Sequence, residues 1–193
     1  EACSTPAKTD DVQLGTEIES VEGNHKLFLQ ILAHALACNQ TRVVNVTFSN
    51  STSSLRKQGS PMTQHVHSHE EAIDATLGYQ PNVTWFMGRV MEGFAAMLAT
   101  FDGFKEGDHS LLDRMLVMAS TDTGYAKVHS LDNIPLLTAG RANGKMKTGI
   151  HVPAKGDPAT RLGLTVQQAL GVPLNSWGTD SMQTSKTIAE VMA

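Results

Sequence analysis

Three imidazoles and two carboxylates fall within eight residues, Gln64-His65-Val66-His67-Ser68-His69-Glu70-Glu71. Imidazole nitrogen is the commonest side-chain ligand for transition metals, and carboxylate oxygen completes many such sites. His65 and His69 are four residues apart and would share one face of a helix. On a strand, His65, His67 and His69 would all point the same way. Both geometries bring at least two imidazoles together. The alternative is a solvated polar loop whose histidines do nothing in common, and the spacing alone does not choose between them.

A second segment carries the same chemistry. Ser120 to His129 contains Asp122 and His129 and directly follows the apolar run Met115-Leu-Val-Met-Ala119. A short continuous apolar run fits a strand buried on both faces of a parallel sheet. An Asp just past such a strand sits where α/β proteins place ligands. Asp-Thr-Gly is also ordinary turn chemistry, so an Asx turn is the competing reading of Asp122. Together the two segments nominate His65, His67, His69, Asp122 and His129 as metal ligands. The other histidines read differently: His25 and His34 as structural or solvated helix residues, His109 near a helix start, His151 in a surface turn. No GxSxG, phosphate-binding loop or dinucleotide fingerprint is present, and no Ser-His-Asp order can be assigned, so the catalytic residues stay unknown.

Positioning these residues requires a scaffold. Residues 1–23 read as a polar tail or linker. Asn24 reads as the N-cap of a helix whose apolar face is Phe28, Ile31, Leu32, Ala35 and Leu36. Arg42 to Ser49 alternates at Val44, Val46 and Phe48 and reads as a strand. A Ser/Thr/Gly-rich loop, Asn50 to Pro61, leads to the His tract. Pro81-Asn82 opens a long helix with Phe86, Val90, Phe94, Met97, Leu98 and Phe101 on one face, ended by Asp102-Gly103. Beyond Met115–Ala119, Ile134 to Ala139 reads as a strand, and Asn143-Gly144 as a hairpin turn into Lys145–Ile150. Thr160 to Leu170 reads as a helix closed by Gly171, and Ser185 to Met192 as a short helix. Alternating helices and apolar strands predict an α/β layered fold, a mainly parallel sheet flanked by helices, in one domain over 24–193.

Composition narrows the function. The 193 residues are 40% hydrophobic and 18% charged, with a net charge of −4 and no basic run, which argues against nucleic acid as a partner. No apolar stretch reaches the roughly 18 residues that span a bilayer. Cys3 and Cys38 lack CxxC spacing, which excludes a zinc ribbon or thioredoxin motif. They would pair only in an oxidising compartment, and a plain buried thiol at Cys38 is equally open. Glycosylation sequons occur at Asn39, Asn45, Asn50 and Asn82. The chain opens Glu-Ala-Cys without Met or signal peptide, so it reads as processed or as a piece of a longer protein.

His65-Val-His-Ser68-His69-Glu70 resembles the HxxSHH signature of the bacterial DUF1552 family, with Glu70 at the final His. Leu36-Ala-Cys-Asn-Gln-Thr-Arg-Val-Val44 resembles that family's AFxxDxTRV segment, and Leu162 to Val172 its closing LxxTxxxALGV. His129 followed by Asn133-Ile-Pro135, and Ala139-Gly140 through Lys147-Thr-Gly149, match in order. The likeness covers roughly residues 24–175 and corresponds to the C-terminal part of a family member. The family is similar to a distant branch of the alkaline phosphatase and sulfatase superfamily, whose members use two metals on an α/β sheet. The resemblance implies that His65 and His69 take the places of a DxxxH pair, His129 that of a later His on the same metal, and Asp122 that of a post-strand Asp. Thr123 stands where the superfamily has a second-site His. It further implies an exported, periplasmic or extracellular protein that binds a divalent metal. His for Asp at 65 favours zinc over magnesium or calcium. Metal-dependent hydrolysis of a phosphate or sulfate ester would need a nucleophile supplied outside this chain, by a missing N-terminal half or a partner chain. The alternative is a non-enzymatic structural or metal-binding module of an envelope or extracellular assembly.

Overall fold

The computed structural model describes Cys3 and residues 5–193. Among the described residues there are five α-helices: α1 (Ile18–Ala37), α2 (Gln64–Glu70), α3 (Pro81–Gly103), α4 (Leu111–Arg114) and α5 (Thr160–Ala169). Strand is sparse. β1 (Lys105–Glu106) pairs with β2 (His109–Ser110), and β3 (Val117–Ser120) with β4 (Leu136–Ala139); both pairs are antiparallel.

α3 forms where the sequence places it. Pro81 sits at the first helical position, where its missing N–H costs nothing. Phe86 and Phe101 are buried on its inner face, with Phe94, Met97 and Leu98 partly buried. α1 crosses this face. Leu32 and Ala33 join Phe101, Leu111 and Val117 in one core, while Ile18 joins Leu55 and Phe86 in a second. A third core, built on Met146, Leu162, Ala169, Ile188 and Val191, ties α5 to the C-terminal segment. A Cys3–Cys38 disulfide joins the N-terminal segment to the C-cap of α1.

α1 departs from its predicted start and phase. It begins at Ile18, within the stretch read as a tail, and Asn24 is an internal residue that donates to Ser20 O (2.9 Å). Leu29, Leu32 and Ala33 face the core, whereas Phe28 and Ile31 are 49% and 57% exposed. Apolar residues fill more than one stripe of this helix, so periodicity alone did not fix which stripe is buried.

The mainly parallel layered sheet is overturned: among the described residues the strands form only two small antiparallel two-stranded sheets. Two physical reasons account for this. Parallel neighbours need a crossover, usually a helix. The segment between β3 and β4 contains only the 3₁₀ turn Ala126–Val128, and the chain returns antiparallel, with Val117 opposite Ala139 and Ser120 opposite Leu136. Accordingly β3 is not buried on both faces, and Met118 is 53% exposed. Secondly, Arg42–Ser49 forms no strand and joins no ladder. Its alternation serves helices instead. Val46 packs in the α1–α3 core, and Phe48 lies edge-on to His25 (5.1 Å between centroids) and against Gly93. A methyl on Gly93 would lie 2.5 Å from the Phe48 ring, so the phenyl fills the space that a side chain on α3 would take. Val43 is left 88% exposed.

The hairpin expected at Asn143-Gly144 is also absent. The chain does turn there, with Met146 N–H donating to Arg141 O (3.0 Å), but Lys145–Ile150 forms no strand. Burial of Met146 in the α5 core draws it to the C-terminal segment, where it bridges Met192. The C-terminal helix shrinks to a 3₁₀ turn at Ala189–Val191. No helix among the described residues is long and apolar enough to cross a membrane.

Candidate metal centre

The His tract is helical. Thr63 caps α2, its Oγ1 accepting from Val66 N–H (3.3 Å). Ser68, buried in the same turn, donates its hydroxyl to His65 O (2.7 Å). Helical periodicity places His65 and His69 on one face, with ring centroids 4.7 Å apart. His67 projects elsewhere, 6.0 Å from the Phe86 ring.

The C-terminal end of α2 is held by two side chains. Gln80 Nε2 donates to the carbonyls of His67, Ser68 and Glu71 at 2.8–3.3 Å. Lys127 Nζ donates to Glu71 O (3.0 Å), where a cation complements the helix dipole. The Glu71 carboxylate turns the other way, accepting from Asn82 N–H, Asn82 Nδ2 and Val83 N–H at the start of α3. Burial pushes the Glu71 carboxyl up, but these hydrogen bonds and nearby His67 outweigh it and hold the group below its ordinary pKa. Glu71 is therefore a helix cap. Glu70 beside it is exposed.

The second arm is the loop from Gly124 to Ser130. Gly124 N–H donates to Ser130 O (2.9 Å) and Ser130 N–H to Tyr125 O (3.1 Å), closing a short loop around the 3₁₀ turn. His129 ends that turn at φ 53°, ψ 38°, a left-handed conformation that histidine adopts more readily than most residues. Gly124 is required by space: a methyl there would lie 1.8 Å from Asp132 O.

The two arms meet. His69 Nδ1–H donates to Lys127 O (3.1 Å), and in the neutral ring this tautomer leaves the lone pair on His69 Nε2. That nitrogen accepts a hydrogen bond from His129 Nε2–H at 3.1 Å, so a proton bridges the two imidazoles where an ion would sit. The His129 ring centroid is 4.8 Å from His69 and 6.3 Å from His65. Two imidazole nitrogens on one tetrahedral zinc, at Zn–N of about 2.0–2.1 Å, stand about 3.3 Å apart, and their ring centroids about 5 Å. The His69–His129 pair matches both values, and a backbone carbonyl on the far ring nitrogen is the usual support of a ligating histidine. The His65–His129 separation is longer by about 1 Å. Among the described residues no three donors already surround one ion position. His65 completes a three-nitrogen set only by turning its ring toward the pair.

The positions nominated from sequence thus divide. His65, His69 and His129 come together from segments 60 residues apart. His67 lies by Phe86. Asp122 is exposed in the bend after β3 and takes part in none of the side-chain hydrogen bonds or ion pairs among the described residues. Sequence reasoning missed Gln80 and Lys127. Gln80 precedes a helix-opening Pro and could have been suspected as a capping residue; nothing local marks Lys127.

Set against models of known protein families, curated proteins and solved structures, the chain matches none of them.

Proposed function

We propose that this chain is a metal-binding module that holds one divalent transition-metal ion between α2 and the Gly124–Ser130 loop. His69, His129 and a reoriented His65 are its protein ligands. The observation that carries the reading is the Nε2–Nε2 approach of 3.1 Å between His69 and His129, with His69 fixed in the matching tautomer by Lys127 O. Nitrogen-only donors favour zinc over magnesium or calcium. His67 and Asp122 have no part in this ligand set. The Cys3–Cys38 disulfide supports an exported protein in an oxidising compartment, periplasmic or extracellular. The DUF1552 resemblance read from the sequence implies His65, His69 and His129 on one metal and the same compartment, but it also implies Asp122, which this ligand set leaves out.

The test is a zinc titration against a chromophoric chelator. The expected result is one zinc per chain, lost in His69→Ala and His129→Ala and retained in His67→Ala. Failure of the native protein to compete for zinc, or equal loss in His67→Ala, contradicts the reading.

A hydrolytic role is the second reading. Exposed His129 leaves one side of the site open to a ligand, and three neutral imidazoles leave the full charge of the ion uncompensated. A metal so held supplies Lewis acidity toward an ester oxygen. Hydrolysis of a phosphate or sulfate ester would then draw its nucleophile from a longer polypeptide or a partner chain. Turnover that chelation abolishes is its test; zinc binding without turnover leaves the non-enzymatic module.

A further inference from the structure

We infer that Lys127 is the positioning residue of this site, setting the tautomer of His69 and its distance from His129. The inference rests on the metal-binding reading above and adds a residue that contributes no ligand atom.

Lys127 grips α2 at two points. Its carbonyl accepts from His69 Nδ1–H (3.1 Å), and its ammonium donates to Glu71 O (3.0 Å). Both partners belong to the last turn of α2 and its cap, two residues apart. Lys127 is itself two residues before His129, inside the 3₁₀ turn that His129 ends. One residue therefore joins the two arms at the point where their imidazoles meet. The carbonyl contact can be held only while the main chain at 127 stays against α2, and the ammonium contact is what keeps it there. The side chain is half-buried, so a long flexible chain is immobilised for a single hydrogen bond to a carbonyl. That cost is offset if the contact also fixes an adjacent site. With Nδ1 protonated, His69 presents an unprotonated Nε2 toward His129. Without the Lys127 carbonyl, the other tautomer would place a proton where the ion must bind.

The experiment compares wild type, Lys127→Met and Lys127→Arg. Zinc affinity is read by chelator competition, and the His69 tautomer by long-range ¹⁵N–¹H correlation in the zinc-free protein. Wild type should show His69 protonated at Nδ1. Lys127→Met should bind zinc about 10-fold more weakly, as loss of an outer contact to a ligating histidine does, and should show a mixture of His69 tautomers. Lys127→Arg should restore both. If wild type binds zinc and Lys127→Met binds it equally tightly with an unchanged tautomer, the inference falls and the metal site stands. If wild type binds no zinc, both fall. The wild-type spectrum is decisive even if Lys127→Met does not fold: His69 protonated at Nε2 overturns the inference.

Discussion

Gly124→Ala should dismantle one arm of the site from a position that bears no ligand. The new methyl would stand 1.8 Å from Asp132 O, 2.9 Å from Asp132 C and 3.1 Å from Asn133 C. The first is more than 1 Å inside any tolerable carbon–oxygen contact, and the obstacle is main chain, which no rotamer change relieves. The Asp132 peptide must retreat. It is two residues from Ser130, whose backbone closes the loop onto Gly124 and Tyr125 through bonds of 2.9 and 3.1 Å. Loss of both at about 0.5–1.5 kcal/mol each gives a destabilisation of about 1–3 kcal/mol. For a chain of this size that corresponds to a melting point lower by about 2–12 °C. His129 lies inside the closed loop, so zinc added at about 100 times the wild-type Kd, worth about 2.7 kcal/mol to wild type, should stabilise the variant far less. Thermal melts by circular dichroism with and without zinc measure both quantities. A variant that melts within about 1 °C of wild type and gains the same zinc shift would refute the packing argument and the role of the loop.

Phe86→Ala removes a fully buried ring that packs with Ile18 and Leu55; a loss of about 3–5 kcal/mol is expected in urea unfolding, and a loss under about 1 kcal/mol would mean the core is not organised around it. Glu71 has a folded-state pKa below its ordinary value, so its contribution is present above the unfolded glutamate pKa of about 4.3 and disappears as pH falls through the lowered folded value. Wild type should therefore out-melt Glu71→Gln at neutral pH, with the gap closing only in acid below the ordinary glutamate range; a gap constant with pH would contradict the cap. Reduction of Cys3–Cys38, which closes a loop with a sequence separation of 35, should cost about 3–4 kcal/mol, read as a lower urea midpoint in reductant; an unchanged midpoint would sink the estimate.

What was legible in the sequence had local causes. The start of α3 follows from Pro81, and its buried face from the spacing of Phe86 through Phe101. The same holds for α5, with Gly171 beyond its end at φ 84°. His65 and His69 lie four apart, and once Thr63 starts a helix their shared face follows. Strands did form within or beside Met115–Ala119 and Ile134–Ala139, but Arg42–Ser49 formed none, because strand propensity records side-chain fit to a half-buried surface and the surface need not be a sheet. Val46 and Phe48 found α1 and α3. Met115–Ala119 yielded a strand, but its partner and direction depend on the connection through residues 121–135, which carries no α-helix, only the 3₁₀ turn Ala126–Val128. The parallel sheet was inferred from that alternation and from the resemblance together, and both misled in the same direction. Lys127 was invisible because its contacts with His69 and Glu71 span more than fifty residues.

The most direct measurement is zinc K-edge X-ray absorption on the zinc-loaded protein beside His65→Ala, His69→Ala and His129→Ala. Wild type should give a nitrogen or oxygen shell at about 2.0–2.1 Å with the multiple scattering of three imidazoles, one fewer in His65→Ala, and no site-bound zinc in the other two. An oxygen-only shell, a sulfur shell at about 2.3 Å, or an imidazole count untouched by His69→Ala would contradict a metal centre built on His65, His69 and His129.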